Sequence, residues 1–218
     1  MKLDRIYVYH KIECDPRCWS QVSDQIQKIK SFQTTNSGSS LYGIWRSQIG
    51  LPRDTITVIS TWPNADTAKS ESTHIHNQLE LVQRSSATIM VPTLRPKTTK
   101  PPVIQGNYAF RSFETPKENF EEFLKLSEDA WPSFENSYDS QVIGLWRLAD
   151  NQNKNILTLL LTRRPDLSMW ERSKTPRTPE EVITRQKLNR RYDLCETTVV
   201  HTSTLLTSID PKDNVQWS

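Results

Sequence analysis

His10 and Arg111 stand at matching places in two strand-like segments, Tyr7-Val8-Tyr9-His10 and Tyr108-Ala109-Phe110-Arg111. An imidazole changes charge near neutral pH and can serve as acid or base. A guanidinium offers a fork of donors that holds a carboxylate or an enolate. In a strand, residues two apart share a face. If Tyr7, Tyr9, Tyr108 and Phe110 pack under helices, then Val8, His10 and Ile12 turn to the opposite face, as do Ala109, Arg111 and Phe113. A His and an Arg aimed into apolar space are costly unless paired or ligand-bound. His10 and Arg111 are therefore the expected catalytic pair. The competing expectation is a solvated strand end, with each side chain bonded to backbone.

Other side chains could line the same space. Arg46 and Arg147 follow Trp45 and Trp146, and either the arginines or the tryptophans face the cavity. Together with His10 and Arg111 they would make four inward cations, which favours an anionic ligand. Phe113 and Trp62 are the expected aromatic contacts. His74-Ile75-His76 cannot hold one ion, because residues two apart on a helix point in nearly opposite directions. His201 reads as a packed or edge histidine. Arg185, Lys187, Arg190 and Arg191 form a short basic cluster, and Glu118, Glu121, Glu122, Glu128 and Asp129 an acidic one. Both read as solvated helix faces. Neither a Gly-rich phosphate loop nor a Gly-x-Ser-x-Gly elbow occurs.

The elements that position these residues come in two copies. Leu41-Tyr42-Gly43-Ile44-Trp45-Arg46 returns as Val142-Ile143-Gly144-Leu145-Trp146-Arg147, 101 residues on. At that offset Ile56-Thr57-Val58-Ile59-Ser60-Thr61 meets Leu157-Thr158-Leu159-Leu160-Leu161-Thr162, and Tyr7 meets Tyr108. Each copy reads as β-α-β-β-α-β, from apolar periodicity and turn residues. In the first copy, strands are expected at 4–13, 40–47, 54–62 and 86–93. One helix follows the Asp15-Pro16 cap, and another runs from the Pro63-Asn64 start to near Arg84. In the second copy, strands are expected at 107–114, 141–148, 155–163 and 196–206. Asp150-Asn151-Gln152-Asn153 makes a turn, and a helical stretch over 166–194 is broken at Pro176 and Pro179. The units are thus 1–94 and 107–208, with a linker at 95–106 and a tail at 209–218. The copies differ at His10/Arg111 and at Trp62/Arg163, so one pocket can work while the other is lost.

Such a unit is an antiparallel sheet with both helices on one face. Ile156-Leu157-Thr158-Leu159-Leu160-Leu161 hardly alternates, so the other face also wants cover. A second copy supplies it, and the space between two such sheets is where a ligand would go. The expected fold is α+β: two tandem ferredoxin-like units forming an intramolecular barrel.

Composition bounds the partners. A formal charge of +3 on 218 residues is no nucleic-acid footprint. Three cysteines, Cys14, Cys18 and Cys195, suit free thiols in a reducing compartment rather than a disulfide framework or a zinc site. With no apolar leader and no run long enough to span a bilayer, a cytoplasmic protein without membrane contact is expected.

The aromatic strand, the Gly-x-Trp-Arg strand, the Ile-Thr-Val strand ending at Trp62, and the exit Val91-Pro92-Thr93-Leu94-Arg95-Pro96 together resemble the NIPSNAP family. Asn107-Tyr108-Ala109-Phe110-Arg111-Ser112-Phe113 is similar to that family's first strand, which carries an Arg at the position of Arg111. His10 departs from that pattern. The resemblance implies a dimeric α+β barrel. Its superfamily includes cofactor-free monooxygenases, some with a pocket tryptophan, as well as cyclases, isomerases and haem proteins. The implied function is binding or transformation of a small anionic or aromatic molecule in the barrel cavity, without metal or nucleotide. The alternatives are a non-enzymatic interaction module, or a haem protein liganded by His10, His74, His76 or His201. A homodimer is compatible with either.

Overall fold

In a computed structural model, residues 5–33, 38–149 and 154–211 are described, apart from the side chains of Thr73 and His74. The turn expected at Asp150–Asn153 and the end of the tail lie outside the described residues. The chain has a mixed α+β fold with eight antiparallel strands and helices.

Contacts divide it into two compact units: residues 1–90, 98–106 and 202–218, and residues 91–97 and 107–201. The boundaries fall within two strands, the fourth and the eighth, and also after Lys97 and after Gly106.

The first unit begins with β1 (Ile6–Cys14) and α1 (Trp19–Gln27), followed by a short α2 (Lys30–Gln33). Cys18, not Asp15, precedes α1. Asp15 instead opens a turn in which its carbonyl accepts from the Cys18 N–H and Arg17 takes a positive φ of 66°. Next come β2 (Ser40–Ile49), β3 (Thr55–Trp62) and α3 (Ala65–Asn77), the last capped by the Asn64 side chain on the Thr67 N–H. Helix α3 stops seven residues short of the expected end, and Leu81, at φ 63°, turns the chain into β4 (Val82–Arg95). In this unit β1 lies between β3 and β4, and β2 between β3 and the last residues of the eighth strand. Val8, Ile12, Ile44, Ile56 and Val58 form one core with Trp19, Val22 and Ile26 of α1.

The second unit holds β5 (Asn107–Pro116), a 3₁₀ turn (Lys117–Asn119), α4 (Phe120–Ser137), β6 (Gln141–Leu148) and β7 (Asn155–Arg164). It continues with α5 (Leu167–Arg172), α6 (Pro179–Asp193) and β8 (Thr197–Leu205). Two prolines split the long helical stretch as expected. Thr178 accepts from the Glu181 N–H, with Pro179 in the first turn. Here β7 sits between β5 and β6. Phe113, Val142, Leu145 and Leu160 pack against Phe123, Trp131 and Phe134 of α4 and Leu188 of α6.

These cores correct the facing of the first strands. Val8, Ile12 and Phe113 lie under the helices, so Tyr7, Tyr9, Tyr108 and Phe110 point to the other face. His10 and Arg111 are therefore on the helix side.

The repeat register also needs correcting. Trp45 pairs with Thr57, but Trp146 pairs with Leu159. Tyr7 pairs with Thr61, but Tyr108 pairs with Arg163. The β7 strand is thus one residue further along than the sequence repeat suggests. A one-residue slip exchanges the faces of a strand. The structural counterpart of Trp62 is Arg164, not Arg163.

Candidate functional site

A cavity of about 340 Å³ lies in the second unit, walled by the sheet on one side and by α4, α5 and α6 on the other. Strand alternation places Ala109 and Arg111 of β5 on this side. Their partners across the ladder, Thr162 and Leu160, share it, and Arg164 follows two residues later. On α6, Arg185, Leu188, Arg191 and Tyr192 recur at three- and four-residue spacing and so face the same way.

Four arginines line the space: Arg111, Arg164, Arg185 and Arg191. None of them forms an ion pair with a carboxylate among the described residues. Other groups hold them in place. The Arg164 guanidinium lies 5.1 Å from the ring centroids of both Phe134 and Trp170, and its Nη1 donates to Thr162 Oγ1 at 3.2 Å. Burial, followed by repulsion from Arg111 and Arg185, pulls its pKa down to about 10, so it stays charged at neutral pH. Arg191 is 3% exposed. Its guanidinium lies 5.0 Å from the Phe113 ring, and its Nη1 donates to Ser127 Oγ at 3.3 Å. The Nε atoms of Arg164 and Arg191 are buried without a partner among the described residues. Arg111 lies 5.4 Å from the Tyr192 ring and donates to Thr198 Oγ1 at 3.4 Å. Arg185 donates to the Ser173 carbonyl.

Half-enclosed like charges without counter-ions repel one another and are costly to desolvate. An anion entering the cavity relieves both costs. Trp131, Phe134, Trp170 and Tyr192 supply aromatic surface beside the charges. Tyr192 is itself perturbed. Burial raises its pKa, but Arg191, Arg111 and Arg185 more than reverse that, and the net direction is down.

The residues expected from the sequence are dispersed. Arg111 lines the cavity. Phe113 lies in the core, 5.1 Å from Phe123 and 5.8 Å from Tyr192 between ring centroids. His10 belongs to the first unit and is absent from the lining, so it is not brought together with Arg111 there. It is 4% exposed, its Nε2 has no partner among the described residues, and burial lowers its pKa to about 4. Arg46 stacks 4.3 Å from Trp19 in the first unit. Arg147 is exposed. Trp45 and Trp146 are fully buried and lie over Gly43 and Gly144 of their own strands, on the face away from the helices. Trp62 is buried in the first core, where its Nε1 donates to Ser60 Oγ at 2.8 Å. His201 stacks on Phe110, with centroids 5.1 Å apart.

Arg164, Arg185, Arg191 and Tyr192 escaped the sequence reading. The first was hidden by the register slip. The spacing Arg185–Leu188–Arg191/Tyr192, with an apolar residue inside a basic run, could have marked the others as a buried face rather than a solvated one.

None of His10, His74, His76 and His201 is among the described residues that line this cavity. Among the described lining residues there is no His, Cys or Met, the usual holders of haem iron. Tyr192 is the one described lining residue of a type that can hold haem iron.

The sequence matches no protein-family model. No curated protein sequence matches it either. Solved structures do resemble it. A candidate monooxygenase from Lactobacillus acidophilus NCFM superposes with a TM-score of 0.60 at 10% identity, covering 94% of this chain and 97% of that one. An anthrone oxidase-like protein gives 0.60 at 9% identity, covering 93% and 92%. A mutant chlorite dismutase from Candidatus Nitrospira defluvii gives 0.62 at 7% identity, covering 94% and 92%. In fold, the chain is similar to the dimeric α+β barrel proteins of the monooxygenase and chlorite dismutase kind.

Proposed function

We propose that this chain binds a small anionic, aromatic organic molecule in the cavity of its second unit and acts on it without metal or nucleotide. The observation that carries the reading is the set of four arginines without carboxylate partners among the described residues, set against aromatic walls. At about 340 Å³ the cavity falls in the size range of small-molecule sites, roughly 300–1,000 Å³. Arg111 and Arg164, reaching in from the sheet, take the carboxylate or enolate oxygens. Trp131, Trp170 and Tyr192 take the ring. The names of two structural neighbours, a candidate monooxygenase and an anthrone oxidase-like protein, support chemistry on an organic substrate. The likeness of the strand motifs to NIPSNAP proteins supports the scaffold and is neutral as to reaction.

Calorimetric titration with phenylpyruvate and salicylate, against phenethylamine as a cationic control, tests the proposal. The acids bind and the amine does not. Because hydrogen bonds to charged groups contribute about 1.5–3 kcal/mol, Arg111→Gln weakens acid binding about 10- to 100-fold. Equal binding of acids and amine, or an unchanged affinity in Arg111→Gln, refutes it.

A further inference from the structure

We propose that Tyr192 is the proton-accepting residue of the cavity, and that the substrate class is an aromatic acid with an ionisable C–H beside a carbonyl. The inference rests on the anion-binding reading of the cavity.

Among the described lining residues there is no Asp, Glu, His or Cys. Proton acceptors of ordinary strength are thus missing from a site built to hold an anion. The titratable groups present are four arginines, Lys174 and Tyr192. Arginine stays protonated at all working pH. Lys174 is exposed and paired with Glu171 at 2.9 Å. Tyr192 remains.

Its surroundings are those of a phenolate. Arg111 reaches over the ring from β5, and Arg191 lies beside it on its own helix with its guanidinium 5.3 Å from the ring centroid. Arg185 and Arg164 add positive charge from α6 and β7. The other elements at the cavity bring no counter-charge to the lining: α4 presents Trp131 and Phe134, α5 presents Trp170, and β8 presents Thr198. Cys195, near Arg191, has its thiol pushed up by burial and stays neutral. Opposite charge nearby favours the ionised form, and burial here is outweighed by it. Phe113 fixes the ring plane from beneath.

The step balances without any added reagent. The ionised Tyr192 oxygen takes a proton from the carbon next to the ligand's carbonyl. The electron pair left behind moves onto the carbonyl oxygen, giving an enolate. Arg111 and Arg164 hold that oxygen, and Tyr192 can return the proton at another atom. The cations that lower the cost of ionising tyrosine are the ones that stabilise the enolate.

Two measurements test this, and the first needs no ligand. In an ultraviolet titration of the phenolate band, wild type shows one tyrosine ionising below the ordinary value of about 10, and Tyr192→Phe lacks it. Superimposable curves overturn the inference. The second follows loss of the C3 hydrogens of phenylpyruvate into D₂O by proton NMR. Wild type accelerates the exchange, and at saturating phenylpyruvate Tyr192→Phe slows it about 100-fold. Exchange that persists in Tyr192→Phe, or binding by wild type without exchange, overturns it. Failure to bind phenylpyruvate counts against the anion-binding reading, and the titration then judges Tyr192 on its own. Thermal melts of both proteins establish that the variant is folded.

Discussion

Replacing His10 with Leu should change how the stability of the protein depends on pH. His10 sits in β1 with Val58 opposite on β3 and Ala87 on β4, and it is 4% exposed. Burial lowers its pKa from 6.5 to about 4. The sign follows from where each state takes up its proton. Above pH 6.5 the imidazole is neutral in both states and adds no pH dependence. Between 6.5 and 4 the unfolded chain binds a proton that the folded chain refuses, so stability falls as pH falls. Below 4 both states are protonated and the loss levels off. At about 1.4 kcal/mol per pKa unit, the full loss is about 3 kcal/mol, of which about 2.5 kcal/mol is present by pH 4.5. Leu has no proton to bind, so His10→Leu escapes this loss. Urea denaturation of both proteins at pH 7.5 and pH 4.5 gives the comparison, because carboxylates common to both cancel in the difference. The expected result is that His10→Leu gains about 2.5 kcal/mol on wild type in going from pH 7.5 to 4.5. Parallel pH profiles for the two proteins would show that the imidazole is solvated or partnered in the folded state, and would refute the reasoning.

Two further outcomes are expected. A Cβ at Gly43 would lie 2.5 Å from the Trp45 ring, and one at Gly144 would meet the Trp146 ring more closely still. Both rings are fully buried and cannot yield. Gly144→Ala should therefore lower stability by about 1–3 kcal/mol in thermal melts, and much less in a Trp146→Leu background. The Glu135 carboxylate accepts two N–H bonds from Arg95, at 2.6 and 3.0 Å, and one from the Val142 backbone at 2.7 Å. Glu135→Ala leaves a half-buried guanidinium and an N–H unsatisfied, and should shift the urea midpoint by an amount equivalent to about 1–3 kcal/mol.

Much of the scaffold could be read from the sequence because local rules govern it. The eight strands follow from β-branched and aromatic runs, and Thr178-Pro179 marks the start of α6 by capping chemistry alone. Facing and register are different, because they depend on contacts the chain makes elsewhere. Nothing within Tyr7-Val8-Tyr9-His10 says which parity lies under a helix. That depends on the partners Trp19 and Val22, and placing the matched aromatics under the helices inverts the facing. The offset of 101 residues is right for Tyr7 and Trp45, but β7 stands one residue further along. That single step hid Arg164 behind Arg163. Arg111 is legible as a site residue from its strand, but on the opposite face of the sheet from the one expected, whereas Arg185, Arg191 and Tyr192 are not legible, because a helix rich in charge gives no sign of which charges are turned inward.

The tryptophan that lies over its own strand's glycine has a consequence for how such a sequence can change. Losing the ring opens a hole, and adding a methyl to the glycine strikes the ring, so every single step away from the pair is downhill. Only a simultaneous double change escapes. The pair behaves as a ratchet. It would hold Gly43-Ile44-Trp45 and Gly144-Leu145-Trp146 alike while the sequence around them varies, with His10 and Trp62 beside one and Arg111 and Arg164 beside the other. The likeness of the two segments would then record mutual steric dependence, and the positions outside the pair would be the ones free to differ.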